Sequence, residues 1–592
     1  MTKRVIYLVL LALFTFAATQ CASQPAAPVP APTQAPAAKQ EAPKATEAPK
    51  ATEAPKAAAT QAPAAKATEA PKATEAPKTT GATTAGGGTL NIHWRTDNPV
   101  SFNPLFSTSG SEQQVERLIF GALLKMSDKL EPVPDLAEKW EIAPDAKTYT
   151  FTLRKGIKFS DGEPLTADDV IFTFERAIDK RVGSIWAGRL AGIEGAAEYA
   201  DQKADKISGL EAPDPNTVRV KLAKPDAAFL TTIGNFSGLG ILPKHVLKDV
   251  APDQLKTHRF STQAPNVSAG AYILANYQPG QYVELRRNDN YFVAKPSVER
   301  IFLKIMASDT ALAQLQTGEV DFVKVPVSEL DRVKRIPNVT VHSVNSPSIS
   351  QIAVYNERPY FKDKRVRQAI MFAIDRKGIV DSILGGQAAI VNSPIIGPEW
   401  MGQPEFEKYD FNPTKAKELL KAANWDPNQK VEMLVATGDK VQDAYGAVIQ
   451  QQLNDVGMKV EIRQVDSAEV NRRYVQTPDF DLFLFGGGVY RAEPSIASNY
   501  YLTSNFTPRG GNGTHYANPQ LDQLFADGVA TADRAKRKDI YTQIAKTVND
   551  DVPTTFLWSP NSIYAVTNRF KGFKPPAYID NFVWNAEEWG VQ

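Results

Sequence analysis

Hydrophobic and polar residues alternate over 147–154, which predicts a half-buried strand. The apolar face of this strand consists of Tyr149, Phe151 and Leu153. Asp161 and Gly162 then predict a turn, because glycine adopts a positive φ without steric cost. Thr166, with Asp169 three residues later, is typical of a helix N-terminus, and apolar residues follow at helical spacing. The segment therefore predicts a strand, a turn and a helix in that order.

The rest of the chain alternates between the strand period and the helix period. Strands are predicted directly after the glycines at 86–88, at 218–222, and in a hairpin of 272–277 and 282–287. Gly318 predicts a helix C-terminus. A strand at 431–436, a helix and a strand at 459–465 form a predicted βαβ unit, and 482–485 is an all-apolar strand typical of a covered sheet. The pattern predicts an α/β protein with mixed sheets flanked by helices.

A helix with one apolar face is predicted after Tyr360. The residues on this face recur at helical spacing and are Val366, Ala369, Ile370, Ala373 and Ile374. Arg365, Arg367 and Arg376 lie largely off the face. We predict that these arginines are solvated or ion-paired, and the alternative is a role at a ligand or a hinge.

Composition limits the class of protein. The 592 residues include 67 basic and 66 acidic side chains, so the net charge is +1 and no basic excess indicates nucleic-acid binding. Roughly 500 residues have a globular composition, which is too many for one core and predicts two or three lobes.

The N-terminus has the features of an export signal. Lys3 and Arg4 precede an apolar run over 5–18, and Cys21 follows. We predict a signal peptide over 1–20 and lipidation of Cys21, which would anchor the protein to the outer face of the cell membrane, in the periplasmic space if an outer membrane is present. The alternative is ordinary secretion with an unmodified cysteine, since Gln20 is unusual before a lipidated cysteine. A single cysteine excludes an intrachain disulfide.

Residues 21–88 are predicted to be a disordered linker after the lipidated cysteine. Residues 22–88 contain no aromatic side chain, and the hexad ATEAPK occurs at 45–50, 51–56, 67–72 and 73–78. Such a segment cannot bury enough apolar surface to offset its ordering entropy. An extended Pro-rich chain of this length would reach on the order of 100–200 Å.

Motifs of common enzymes are absent from the sequence. The five histidines never fall four residues apart, so there is no zinc-binding helix, and there is no phosphate-binding loop or G-x-S-x-G elbow. We therefore expect no catalytic residues, no metal and no cofactor. The glycines at 486–488 follow a strand, and we interpret them as a turn that borders a cleft, with a plain strand-end turn as the alternative.

The wording of 131–176, EPVPDLAEKWEIAPDAKTYTFTLRKGIKFSDGEPLTADDVIFTFER, closely resembles the signature of family 5 of the solute-binding proteins of ABC importers. The segments at 267–292, 311–323 and 361–380 resemble further hallmarks of that family. The resemblance implies a bilobal clamp of the type II periplasmic-binding class, with an extra subdomain in lobe I. It implies lobe I at 89–350 with the subdomain at about 125–205, lobe II at 351–555, and a return to lobe I at 556–592. The two crossings between lobes would lie near 348–356 and 553–559.

The resemblance also implies a ligand cleft between the lobes. The candidate ligand-binding residues are Trp94, Asp97, Asn98, Trp400, Gly487, Gly488, Tyr490, Arg491, Glu493 and Trp558. Peptide-binding members commonly carry an aspartate that pairs with the peptide α-amine. Alignment on Glu493 and Pro494 places Tyr490 at that position, and a tyrosine does not supply the counter-charge.

The function implied is that of a monomeric extracytoplasmic receptor that binds an oligopeptide-like or dipeptide-like solute by hinge closure. It would deliver the solute to ABC permease subunits with their ATPases. Three alternatives remain: the same clamp binding an oligosaccharide or another solute, an envelope sensor, and a tethered hydrolase, for which the sequence supplies no motif.

Overall fold

The computed structural model describes residues 88–592 except 96–97, 108, 145–146, 235–237, 347, 394, 396, 403, 489–492, 509 and 577–580. The predicted signal peptide, Cys21 and the predicted linker up to residue 87 lie outside the described residues.

The strands of the described chain are β1 (Thr89–Arg95), β2 (Leu124–Met126), β3 (Pro132–Pro134), β4 (Ala137–Ile142), β5 (Thr148–Leu153), β6 (Leu210–Asp214), β7 (Thr217–Lys221), β8 (Tyr272–Gln278), β9 (Tyr282–Arg287), β10 (Arg300–Ile305), β11 (Phe322–Lys324), β12 (Val339–Asn345), β13 (Ser348–Val354), β14 (Ala388–Ile390), β15 (Lys430–Ala436), β16 (Lys459–Val465), β17 (Leu482–Gly488), β18 (Trp558–Thr567), β19 (Phe570–Lys571) and β20 (Gly590–Val591).

The α-helices are α1 (Gly110–Ile119), α2 (Ala167–Ile178), α3 (Ala187–Leu190), α4 (Ala196–Ala200), α5 (Phe229–Gly234), α6 (Lys244–Leu247), α7 (Arg259–Thr262), α8 (Ser308–Thr317), α9 (Leu330–Val333), α10 (Lys364–Ala373), α11 (Arg376–Ser382), α12 (Pro413–Ala422), α13 (Lys440–Asp455), α14 (Ser467–Val470), α15 (Ser498–Tyr501), α16 (Pro519–Ala530) and α17 (Arg534–Asp551). Short 3₁₀ turns occur at Pro252–Gln254, Val327–Glu329, Pro359–Phe361, Glu399–Met401, Pro494–Ala497, Thr503–Asn505 and Ala586–Glu588, and a π-helical turn occurs at Asn471–Gln476.

The chain forms two halves that share one long strand. In the first half, β1 pairs in parallel with β10 and β11, and β8, β9 and β10 are antiparallel. In the second half, β15 pairs in parallel with β16 and β17, and β17 is antiparallel to β13. The first residues of β18 pair with β13 and β14, and its later residues pair with β11 and β12. Both halves are thus mixed sheets, and β18 joins them.

Each half has its own hydrophobic core. One cluster of buried side chains runs from β1 through the four-stranded sheet β4–β5–β7–β6 to the C-terminal segment, and a second lies among β13, β15, β17, α10 and α13.

The local predictions for 147–178 are confirmed. Tyr149, Phe151 and Leu153 are buried on one face of β5. The backbone N–H of Thr166 donates a hydrogen bond to Oδ2 of Asp169 at 2.9 Å at the start of α2. The hairpin of β8 and β9, the end of α8 at Gly318 and the parallel pair of β15 and β16 also agree with the sequence predictions.

The predicted glycine turn at 486–488 is wrong. These three residues form the end of β17, where they pair with Ser350, Ile349 and Ser348 of β13. Three glycines have no side chains that could alternate between polar and apolar, so hydrophobic periodicity did not distinguish this strand end from a turn.

The prediction for the arginines is correct for one residue and wrong for two. Arg365 is exposed and forms an ion pair with Asp363 at 2.6 Å. Arg367 and Arg376 are buried, and their guanidinium groups donate to backbone carbonyl oxygens. The sequence pattern placed both residues off the predicted apolar face. The structure places Arg367 in α10 and Arg376 at the start of α11, and distant backbone covers both.

Candidate functional site

The junction between the halves is held by two side chains. The chain leaves the first half at Asn345 and returns along β18. The Nδ2 of Asn345 donates to the carbonyl oxygen of Ser559 at 3.0 Å, and Oγ of Ser559 donates to Oδ1 of Asn345 at 3.1 Å. Ser559 also donates to the carbonyl oxygen of Ser346. These bonds connect the outgoing and returning strands at the junction.

A cavity of about 960 Å³ lies beside this junction, with walls from both halves. Its volume is at the upper end of the range for ligand pockets, about 300–1,000 Å³. The first half contributes 128–130, the junction contributes Asn345, and the second half contributes residues between 389 and 408 together with Ala545.

The cavity wall mixes apolar surface with charges of both signs. Its apolar side chains include Leu130, Ile390, Met401 and Phe406, and its charged side chains are Asp128, Lys129, Glu399, Glu405 and Lys408. Such a lining suits a ligand that has an apolar body and several polar groups, because each part would find a matching surface. A highly charged ligand of one sign would meet like charges on this wall.

A second, mostly apolar cavity of about 660 Å³ also lies between the halves. The first half contributes 191–192 and 223–226, and the second half contributes α15, α16 and Leu502. The backbone N–H of Ala227 donates across the gap to the carbonyl oxygen of Val529 at 3.1 Å. Burial raises the pKa of the nearby Asp226.

Trp94 and Asn98 lie in the first half. The Nε1 of Trp94 donates to the carbonyl oxygen of Ser111 at 3.0 Å and to Oε1 of Gln114 at 3.1 Å, and its ring is buried in the core. The Oδ1 of exposed Asn98 accepts from the backbone N–H of Gly280 at 2.6 Å. Neither side chain lines the two cavities described above.

The structure brings Trp400 and Glu493 together through Arg537 of α17. Nη2 of Arg537 donates to Oε1 of Glu493 at 2.6 Å, and both side chains are almost completely buried. The guanidinium carbon lies 5.4 Å from the centre of the Trp400 ring. Burial opposes the charge of Arg537, but Glu493 outweighs this effect and raises the pKa of Arg537. The carboxylate of Glu493 is therefore already paired.

The remaining candidates lie in or next to the sheet. Gly487 and Gly488 pair with Ile349 and Ser348, directly beside the junction. Trp558 is buried, and its ring contacts Tyr445 edge-on at a centroid distance of 5.1 Å. Asp97, Tyr490 and Arg491 lie outside the described residues. The ligand-binding role of all these residues stays a prediction.

Two buried residues support the second-half wall of the cavity: Arg376, which we predicted to be solvated or ion-paired, and Asn549, which the sequence analysis did not single out. Arg376 and Asn549 are buried, and they donate to the backbone of the segment that forms the second-half wall. A buried polar residue in a helix gives no local signal, because its partners are 15 to 180 residues away along the chain.

Among the described residues, no cluster of three or more His, Cys, Asp or Glu side chains has a metal-binding arrangement. No helix in the described part of the chain combines the length and apolar character needed to cross a membrane.

Comparison with known proteins identifies the family. Residues 131–508 match the family described as bacterial extracellular solute-binding proteins, family 5. The oligopeptide-binding protein AppA of Bacillus subtilis is 28% identical over 511 residues, which are 83% of this chain and 89% of that protein. A putative ABC transporter peptide-binding protein of Brucella ovis is 30% identical over 492 residues, covering 82% of this chain and 88% of that protein.

Solved structures show the same architecture. AppA from Bacillus subtilis in complex with a nonapeptide has a TM-score of 0.71 and 27% identity, and the match covers 86% of this chain and 99% of that one. The ABC transporter substrate-binding protein CtaP of Listeria monocytogenes has a TM-score of 0.76 and 26% identity over 85% of this chain and 99% of that one. The predicted bilobal α/β clamp is confirmed. Because the family match covers more than half of the 592 residues, this chain belongs to family 5 of the bacterial extracellular solute-binding proteins.

Proposed function

We propose that this protein is an extracytoplasmic receptor that binds a peptide-like solute between its two halves and delivers it to the permease subunits of an ABC importer. The observation that carries the proposal is the cavity of about 960 Å³ whose walls come from both halves. The relatives named as peptide-binding proteins support the ligand class. The receptor would be a monomer, held at the outer face of the membrane by a lipid on Cys21.

The mechanism is hinge closure. A ligand that contacts both walls stabilises the closed arrangement, since these contacts are lost when the halves separate. Direct contacts among the described residues also join the halves. Arg534 of α17 forms an ion pair with Glu131, and Ala227 bonds to Val529. These contacts are each weak, so the ligand would supply most of the free energy of closure.

Native mass spectrometry of the protein purified without denaturation tests the ligand class. We expect bound species whose masses form a series separated by amino-acid residue masses. Small-angle scattering should show a smaller radius of gyration after ligand is added to the emptied protein. A series separated by hexose masses would overturn the peptide proposal. Scattering curves that are identical with and without bound ligand would overturn hinge closure.

Blocking the peptide amine should have little effect on binding. Tyr490 aligns where peptide-binding members commonly have an aspartate, and a tyrosine does not supply the counter-charge for a free α-amine. We expect N-acetylated and free-amine forms of one captured peptide to bind with dissociation constants within about threefold, which is less than about 0.7 kcal/mol. Isothermal titration checks this, with the C-terminal amide of the same peptide as a control. A loss of about 100-fold on acetylation would show that another group pairs with the amine.

A further inference from the structure

The second half contributes its cavity wall mainly through residues 391–409, called here the wall segment; residues 394, 396 and 403 are not among those described. The entry arm of this segment is 391–392, and the exit arm is 407–409. Both arms accept hydrogen bonds from the same two buried side chains, Arg376 and Asn549. The two ends of the wall segment therefore meet at a neck.

Arg376 of α11 spans the neck from one side. Its Nη1 donates to the carbonyl oxygen of Val391 at 2.6 Å, and its Nη2 donates to the carbonyl oxygens of Lys408 and, at 3.2 Å, Tyr409. Nη1 also donates to the carbonyl oxygen of Phe556 at 3.2 Å, just before β18. One guanidinium thus ties both arms of the wall segment to the strand that leads back through the junction.

Asn549 of α17 closes the neck from the other side. Its Nδ2 donates to the carbonyl oxygen of Asn392 on the entry arm at 2.6 Å and to that of Glu407 on the exit arm at 3.0 Å. The hydroxyl of Tyr409 donates to the backbone carbonyl of Asn549 at 2.9 Å. Most of these contacts are made to backbone, and one further contact joins Nη2 of Arg376 to Oδ1 of Asn392 at 3.5 Å.

The chemistry favours a fixed neck. A buried guanidinium needs acceptors on several of its N–H groups, and the carbonyl oxygens of the two arms supply them. Burial lowers the pKa of Arg376 to about 10, so it remains charged at neutral pH. A segment whose two ends are held together has fewer accessible conformations. It therefore loses less conformational entropy when a ligand binds against it.

We infer that Arg376 and Asn549 are positioning residues that close the neck of the wall segment and hold it as a preformed wall of the cavity. The wall then keeps its shape in the free protein, and hinge closure moves it as a unit. The consequence for ligand affinity rests on the proposed function, whereas the order of the wall in the free protein does not.

Hydrogen exchange of the free, full-length protein, followed by mass spectrometry, tests this inference. Arg376→Lys keeps the charge but cannot span both arms, and Asn549→Leu removes the second contact without adding a charge. We expect amides such as Met401 and Gly402, which bond to carbonyls within the wall segment, to exchange at least about tenfold faster in either variant. Exchange in α13 should not change.

Arg365→Lys is the matched control, because Arg365 is 45% exposed and lies outside the neck. It should leave exchange in the wall segment unchanged. Unchanged exchange in both neck variants would overturn the inference. Equally faster exchange in the wall segment and α13 would also overturn it, because the two residues would then only stabilise the whole second half.

The binding consequence is measured separately. With a peptide captured by the wild-type protein, Arg376→Lys should weaken affinity by at least about tenfold, while exchange in α13 stays as in the wild type. Unchanged affinity with a loosened wall would show that the preformed wall does not contribute to binding. If the wild-type protein binds no peptide, the proposed function fails, and the exchange experiment still decides whether the neck is fixed.

Discussion

Arg537→Met is expected to lower the free energy of unfolding by about 3–5 kcal/mol, because it leaves the Glu493 carboxylate buried without its cation. The two side chains are 9% and 3% exposed, and their ion pair is 2.6 Å long. Methionine keeps much of the apolar contact with Trp400 but cannot donate to the carbonyl oxygen of Gly528, which the arginine Nε reaches at 3.1 Å. Urea unfolding followed by tryptophan fluorescence measures the loss.

Arg534→Met is the control for this prediction. Arg534 lies one turn earlier on α17 and also contacts the Trp400 ring, at 5.3 Å, but it is largely exposed and pairs with Glu131. We expect a loss below about 1 kcal/mol. Adding Glu493→Gln to Arg537→Met should recover part of the larger loss, since the buried charge is then removed. Equal losses for the two arginines would contradict the role of burial.

The ion pair of Arg537 and Glu493 also affects the interpretation of the candidate site. Glu493 directly follows 489–492, the segment that carries Tyr490 and Arg491. Its carboxylate accepts from Arg537 and from the backbone N–H of Ser495 at 3.0 Å. A ligand would have to compete with both partners, so Glu493 is better suited to a structural role than to binding the ligand itself.

The sequence predicted elements whose signals are local. The alternation in β5, the N-terminal residues of α2 and the glycine at the end of α8 each involve contacts within a few residues, and the structure agrees with all three. The family resemblance predicted the clamp. A long match to a family implies the topology of that family, whereas hydrophobic periodicity predicts only individual strands and helices.

Residues whose partners are distant were not predicted correctly. Arg367 donates to the carbonyl oxygens of Asp551 and Val552, and Arg376 donates to that of Phe556, more than 175 residues away. The position of Arg367 off the apolar face of α10 and that of Arg376 at the start of α11 were compatible with solvent exposure or with burial against other backbone. Whether such an arginine is exposed or buried depends on the packing of the whole second half, and its position on one helix does not determine this.

Asp321→Asn is expected to lower the free energy of unfolding by about 2–4 kcal/mol, because Asp321 is buried although its partner Arg569 is partly exposed. The side chain of Asp321 is fully buried next to β11 and accepts from Arg569 through Nε and Nη2, both at 2.6 Å. It also accepts from the backbone N–H of Asn91 and from Oγ1 of Thr567, both at 2.9 Å. An asparagine removes the charge opposite Arg569 and places an amide donor against groups that already donate.

Three strands meet at this carboxylate, because Asp321 directly precedes β11, Asn91 belongs to β1 and Thr567 ends β18. Because β18 also joins the halves, the proposed hinge closure would need this end of the strand to be fixed in the first half. Glu319→Gln is the matched control, since Glu319 is exposed two residues earlier, and it should cost less than about 0.5 kcal/mol. Urea unfolding compares the two variants. A loss below about 1 kcal/mol for Asp321→Asn would show that hydrogen bonding without the charge is enough to hold β18 in place.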